Sequence, residues 1–162
     1  MNNVMLDIET LGVTPGSVVL SIGAVEFDQS NLGDVFHMGI SVQDSAINGL
    51  HVDAGTAVWW LGQDQDAQAA ILKMLEGALP LDQVLDKFAK AFKDWGKKKL
   101  WCNGASFDIP ILVAAHKGVG KKVWDENKEA PTVAHDGLAD AISQARTLQK
   151  VLKTQGISSW LK

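Results

Sequence analysis

Asp7 and Glu9 break an apolar run, Val4-Met5-Leu6 with Ile8, that otherwise reads as a buried β-strand near the start of the chain. Side chains alternate along a strand, so the two carboxylates share one face. Like charges on a core strand repel each other and lose hydration, and a cation relieves both problems. The alternative is a shifted register that leaves both acids at a solvated strand end. Any fold proposed for this chain has to place this pair.

The rest of the pattern is mixed. Gly12, Pro15 and Gly16 mark residues 10–16 as a turn, and Val and Ile enrichment predicts a second strand over 17–27. Asn31-Leu32-Gly33 reads as a hairpin tip before a third strand at 35–42. Helices are expected over 56–61, 65–75 and 81–95, the last from the spacing of Leu81, Val84, Leu85, Phe88, Phe92 and Trp95. Leu100-Trp101-Cys102 predicts a fourth strand, residues 109–116 a helix, 121–124 a short fifth strand and 136–153 a final helix. Strands first and then helices between short strands give an α/β fold with helices packed on a mixed sheet. No linker, repeat or low-complexity tract divides the 162 residues, so 1–162 is expected to be a single domain.

Two more acidic positions stand out. Asp108 ends Asn103-Gly104-Ala105-Ser106-Phe107-Asp108, at a strand-to-helix junction where Ser106 or Asp108 could equally be an N-cap. His135 and Asp140 open the last helix, where the alternatives are a loop histidine, a solvated aspartate and Asp136 as cap. Taken together, Asp7, Glu9, Asp108 and Asp140 supply four hard oxygen ligands of the kind Mg²⁺ prefers. His135 adds a base that titrates near neutrality. The single cysteine, Cys102, rules out an internal disulfide and argues against a structural zinc site.

These three segments, in this order, resemble the motifs of the DEDD (DnaQ-like) superfamily of 3′–5′ exonucleases. The His-x₄-Asp spacing of the third is similar to the subgroup that carries histidine there, DEDDh. Within it, Thr56-Ala57-Val58-Trp59-Trp60 with Gln63 resembles small phage-type exonucleases and a bacterial exoribonuclease branch. The resemblance implies an RNase H-like fold with a five-stranded mixed sheet flanked by helices. It implies two Mg²⁺ or Mn²⁺ ions bridged by Asp7, with Glu9 and Asp140 on the first ion and Asp108 supporting the site through water. It implies His135 as general base and nucleoside 5′-monophosphates as products. Thr10, Leu11, Trp60, Gln63, Asn103 and Phe107 are the residues expected to contact the substrate. Relatives commonly place a longer, basic segment before the histidine, whereas residues 125–131 here hold one lysine and three acids.

Charge bounds the partners. Fifteen basic against nineteen acidic residues give a net charge of −4, which excludes a histone-like binder and disfavours tight duplex binding. Lys97, Lys98 and Lys99, and Lys117, Lys121 and Lys122, form two basic clusters that are either solvated faces or phosphate contacts. Single-stranded DNA or RNA 3′ ends are the expected partners, with no membrane and no inferable protein partner. No run reaches the ~20 apolar residues of a membrane span, and the first ten residues lack Lys and Arg, so a cytoplasmic protein is expected. The rival readings are an inactive nucleic-acid-binding module of the same fold and an RNase H-like endonuclease. Ca²⁺ storage lacks its loop spacing.

Overall fold

A computed structural model describes residues 1–104, 106–120, 141–142 and 144–149. The first three strands form an antiparallel meander: β1 (Asn3–Thr10), β2 (Val19–Phe27) and β3 (Leu32–Gly39). The fourth, β4 (Lys99–Cys102), returns parallel to β1, giving the order β3-β2-β1-β4. Among the described residues the sheet therefore has four strands, against the five expected. The fifth strand anticipated at 121–124 lies outside the described residues.

β1 and β2 are the inner strands, and β2 is buried along its whole length, which explains its nearly unbroken apolar sequence. The two faces of β1 enter different cores. Val4, Leu6 and Ile8 join a large cluster with α4 (Leu81–Ala91) and α5 (Asp108–Gly118). Met5 joins a smaller cluster with Val25, Phe27, Trp101 and the helical residues Ala141 and Ala145. Asp7 and Glu9 share the Met5 face by strand alternation. The side-chain amide of Gln149 donates to the carbonyls of Asp28 and Asn31, pinning that helix to the β2–β3 turn.

Three boundaries differ from the sequence expectation, each for a local reason. The β2–β3 turn comes before Leu32 because Asp28 Oδ1 accepts the backbone N–H groups of Ser30 and Asn31, both at 2.9 Å. The helix expected to run to Trp95 stops at Ala91, where Phe92 turns extended and Asp94 adopts φ +57°. Trp95 then donates its indole N–H to the Phe88 carbonyl at 3.1 Å and keeps its place in the core. A six-residue helix, α1 (Val42–Ile47), was not anticipated, since it is too short to show a period. Asp44 of α1 accepts the Leu81 N–H at 2.8 Å and so caps α4 from a distant segment. Between them, α2 (Ala54–Leu61) and α3 (Gln65–Glu76) each carry an aspartate N-cap, Asp53 and Asp64.

Lys98 is buried. Its ammonium donates to the buried Glu26 carboxylate and, at 2.6 Å, to the Met1 carbonyl. The central member of the first lysine cluster is thus a structural ion pair. Among the described residues no helix is long and apolar enough to cross a membrane. Lys98→Met strands the Glu26 charge, and urea unfolding should show a loss of about 3–5 kcal/mol, the usual penalty for half of a buried pair. Pairing it with Glu26→Leu should recover most of that loss.

Candidate active site

β1 and β4 run in the same direction, and their carboxyl ends open together onto a cavity of about 590 Å³. Asp7, Glu9 and Thr10 of β1 line it, together with Asn103, Gly104, Phe107 and Asp108 after β4. The opposite wall comes from α2 and its cap: Asp53, Thr56, Trp59 and Trp60. Segments about a hundred residues apart in the chain therefore meet here.

Asp108 is the most constrained of these groups. It is 2 % exposed and sits at the first residue of α5, yet it does not cap that helix. Its Oδ2 accepts the Gly104 N–H at 3.0 Å, and its carboxylate also takes the N–H of Ile8 and the thiol of Cys102. β4 ends at Cys102, opposite Leu6, so the carboxylate reaches β1 just beyond the end of the strand pairing. Burial raises its pKa to about 6, against the pull of these donors. Burial, with Asp108 and Asp7 nearby, pushes the Cys102 thiol far up, so it remains a neutral donor.

Asp7 is 8 % exposed and Glu9 is half-buried. Three hard oxygen donors thus line one partly enclosed space, with burial already weighing against an uncompensated charge. Among the described residues no three Asp, Glu, His or Cys side chains close tightly enough to cage an ion unaided. Open Mg²⁺ sites do not need such a cage: one or two carboxylates, waters and substrate oxygens complete the shell. The donor chemistry therefore fits a hard divalent cation. His135 and Asp140 lie outside the described residues.

The wall after Glu9 is built by hydrogen bonds rather than by packing alone. Leu11 donates its N–H to Val18 and accepts the Asp53 N–H at 2.7 Å. The Trp60 indole N–H donates to the Thr10 carbonyl at 2.9 Å, and the Thr10 hydroxyl donates to the Gly12 carbonyl. The Ser17 hydroxyl donates to the Thr14 carbonyl, and His51 Nε2 lies 3.3 Å from the Thr14 hydroxyl. A Cβ at Gly12 would lie 2.3 Å from Ser17 Oγ, so any larger residue there has to displace Ser17.

The six expected substrate contacts divide into two groups. Thr10, Trp60, Asn103 and Phe107 line the cavity; Leu11 and Gln63 do not. Leu11 packs on the core, and Gln63 donates its amide to the Trp59 carbonyl at the end of α2. Asn103 Oδ1 is buried without a hydrogen-bond partner among the described residues. Of the paired tryptophans, Trp60 spends its N–H on the loop. Trp59 stands 45 % exposed against it in an edge-to-face contact, at 5.2 Å between ring centres. Sequence reasoning missed Asp53, although Asp-x-x-Thr before an apolar stretch is an N-cap signature.

The sequence profile of the 3′–5′ exoribonuclease Rv2179c-like domain matches residues 2–152. An exodeoxyribonuclease of Enterobacteria phage T4 is 28% identical over 126 residues, covering 70% of this chain and 55% of that protein. The chain thus spans about half the length of that relative. In structure it resembles E. coli ExoI in a zinc-bound complex with single-stranded DNA, with TM-score 0.72 and 12% identity over 96% of this chain and 41% of that one. It also resembles exonuclease X in complex with 5′-overhanging duplex DNA, with TM-score 0.55 and 14% identity over 95% and 93%. At such identities these two show the fold.

Trp60→Phe removes the donor to Thr10 and replaces the indole by a smaller ring where Trp60 packs on the core. It should cost about 1–3 kcal/mol in thermal or urea unfolding, one hydrogen bond plus lost packing. Limited proteolysis should show faster cutting within residues 11–17, while Trp59→Phe leaves both readings unchanged.

Proposed function

This chain belongs to the family of Rv2179c-like 3′–5′ exoribonuclease domains, and on that premise we propose that it is a metal-dependent exonuclease. It shortens single-stranded nucleic acid from the 3′ end and releases nucleoside 5′-monophosphates. The observation that carries the reading is the convergence of Asp7, Glu9 and Asp108 on one cavity beside an exposed indole.

Two Mg²⁺ or Mn²⁺ ions are the cofactors that Asp7, Glu9, Asp108 and Asp140 would hold. The chemistry such ions supply when bound is charge neutralisation at the phosphate and a more acidic attacking water. Support for including Asp140 comes from its neighbour: Ala141 packs in the cluster that contains Met5, on the strand face that bears Asp7 and Glu9. His135 accepts the proton of the water that attacks phosphorus in line; the P–O3′ bond to the penultimate nucleotide breaks, that 3′ oxygen takes up a proton from solvent, and the terminal nucleotide departs as its 5′-monophosphate. Thr10, Asn103 and Phe107 bound the terminal nucleotide, and Trp59 offers its ring to the base. Trp60 contributes to the same wall while holding Thr10, and Leu11 and Gln63 act from behind it.

The family description speaks of RNA and the phage relative's name of DNA, so both sugars belong in the test. Matched 5′-labelled single strands of DNA and RNA, with Mg²⁺, Mn²⁺ or chelator, should give a metal-dependent ladder shortening from the 3′ end. Asp7→Ala and Asp140→Ala should abolish it with folding intact by circular dichroism. His135→Ala should slow it roughly 10²–10⁴-fold, the scale of losing a general base. Cleavage of a circular strand would point to an endonuclease, and intact label throughout to a binding module.

A further inference from the structure

Asp108 is 2 % exposed, and a carboxylate at that depth has to be held by donors. Gly104 gives it a backbone N–H at 3.0 Å, Ile8 gives a second, and its own amide a third. Backbone donors come with almost any sequence. Among the described residues the thiol of Cys102 is the one side chain that donates to it, and so the one donor that the sequence chooses.

Cys102 is the last residue of β4 and is 1 % exposed. It pairs with Leu6 and belongs with it to the larger core cluster, which α5 also enters. The thiol therefore reaches Asp108 from the core side of the sheet, whereas Asp7 and Glu9 stand on the Met5 face. The next residue, Asn103, lines the cavity and leaves its buried Oδ1 without a hydrogen-bond partner among the described residues. The end of β4 thus sends one side chain behind the carboxylate and the next in front of it. The front carries hard oxygens, those of Asn103, Asp7, Glu9 and Asp108 itself, an arrangement that a cation completes.

Resting on the metal-dependent reading above, we propose that Cys102 is a positioning residue: its thiol fixes the Asp108 carboxylate from behind and prepares it to take a divalent cation. A carboxylate that is already oriented loses less freedom when the ion arrives. Hydrogen bonds behind a metal ligand change affinity by about 10- to 100-fold, and a thiol, as a weak donor, stands at the lower end. Cysteine combines that donor with the packing of a small apolar side chain.

The test follows Mn²⁺ binding to the whole chain without substrate, read from the electron paramagnetic resonance signal of the free ion. Cys102→Ala and Cys102→Val both remove the donor, and valine refills the space. Each should raise the Kd of the tightest Mn²⁺ site about five- to tenfold. Cys102→Ser is close to the alanine variant in volume but keeps a donor, and should stay within about threefold of wild type. In an Asp108→Asn background, Cys102→Ala should change that Kd by less than about twofold, because the effect runs through the carboxylate. In cleavage assays the Mg²⁺ concentration for half-maximal rate should follow the same order of variants. The KM for the strand at saturating Mg²⁺ should stay within about twofold.

Folded alanine and valine variants with the wild-type Mn²⁺ Kd would overturn the proposal. So would a serine variant as weak as alanine, which marks lost packing instead of a lost donor. An undiminished effect of Cys102→Ala in the Asp108→Asn background would do the same. The expected order of Mn²⁺ affinities without cleavage of any strand would sustain the positioning role and remove the exonuclease reading. Wild type that binds no Mn²⁺ would remove both.

Discussion

The carboxylate of Asp108 accepts N–H groups from two separate segments, Gly104 in its own loop and Ile8 on β1. A buried charge is costly, and these donors, with the Cys102 thiol, offset part of that cost. The arrangement does more than satisfy a charge. β4 is only four residues long and its ladder with β1 ends at Leu6. Past that point the side chain of α5's first residue replaces the missing strand, and the helix starts against the site. The same carboxylate thus joins sheet, loop and helix, and fixes the distance at which a third acid can stand from Asp7 and Glu9.

The site's two walls are held by different means. The acidic wall rests on the sheet, where Val4, Leu6 and Ile8 lock β1 into the larger core and Met5 into the smaller. The loop wall has little apolar burial of its own. It is tied by the Trp60 indole, by the backbone bonds of Leu11 to Val18 and Asp53, and by the polar knot of Thr14, Ser17 and His51. No residue of α2 is fully buried; beside its polar contacts, the helix that supplies this wall is held by Trp60, which packs partly buried on the larger core. Such segments open at lower free energy than a packed strand.

How much of this was legible in the sequence follows from which interactions are local. β1, β2 and the Leu81 helix declare themselves by period, because burial on one or two faces writes an alternation or a stripe into the residues. The acid pair of β1 was legible for the opposite reason, as a violation of that pattern. The burial of Lys98 was not, since its partner Glu26 lies 72 residues away and a run of three lysines reads as solvent-facing. Nor was the division of labour between Trp59 and Trp60, which depends on a carbonyl 50 residues upstream. Asp53 was legible only as a cap for Thr56, and its place on the cavity wall depends on the folded chain.

The parallel pairing of β1 with β4 also imposes an order of events. β1 meets β2 almost as soon as both exist, but its other neighbour is encoded some ninety residues later. During translation at roughly 5–20 residues per second, the strand bearing the first two acids waits on the order of five to twenty seconds for its second edge to be covered. The Met1 carbonyl waits equally long for Lys98. The nascent chain therefore carries Asp7 and Glu9 before it has the cavity that they line. Asp108 joins Asp7 and Glu9 only once the start of α5 has followed β4 out of the ribosome.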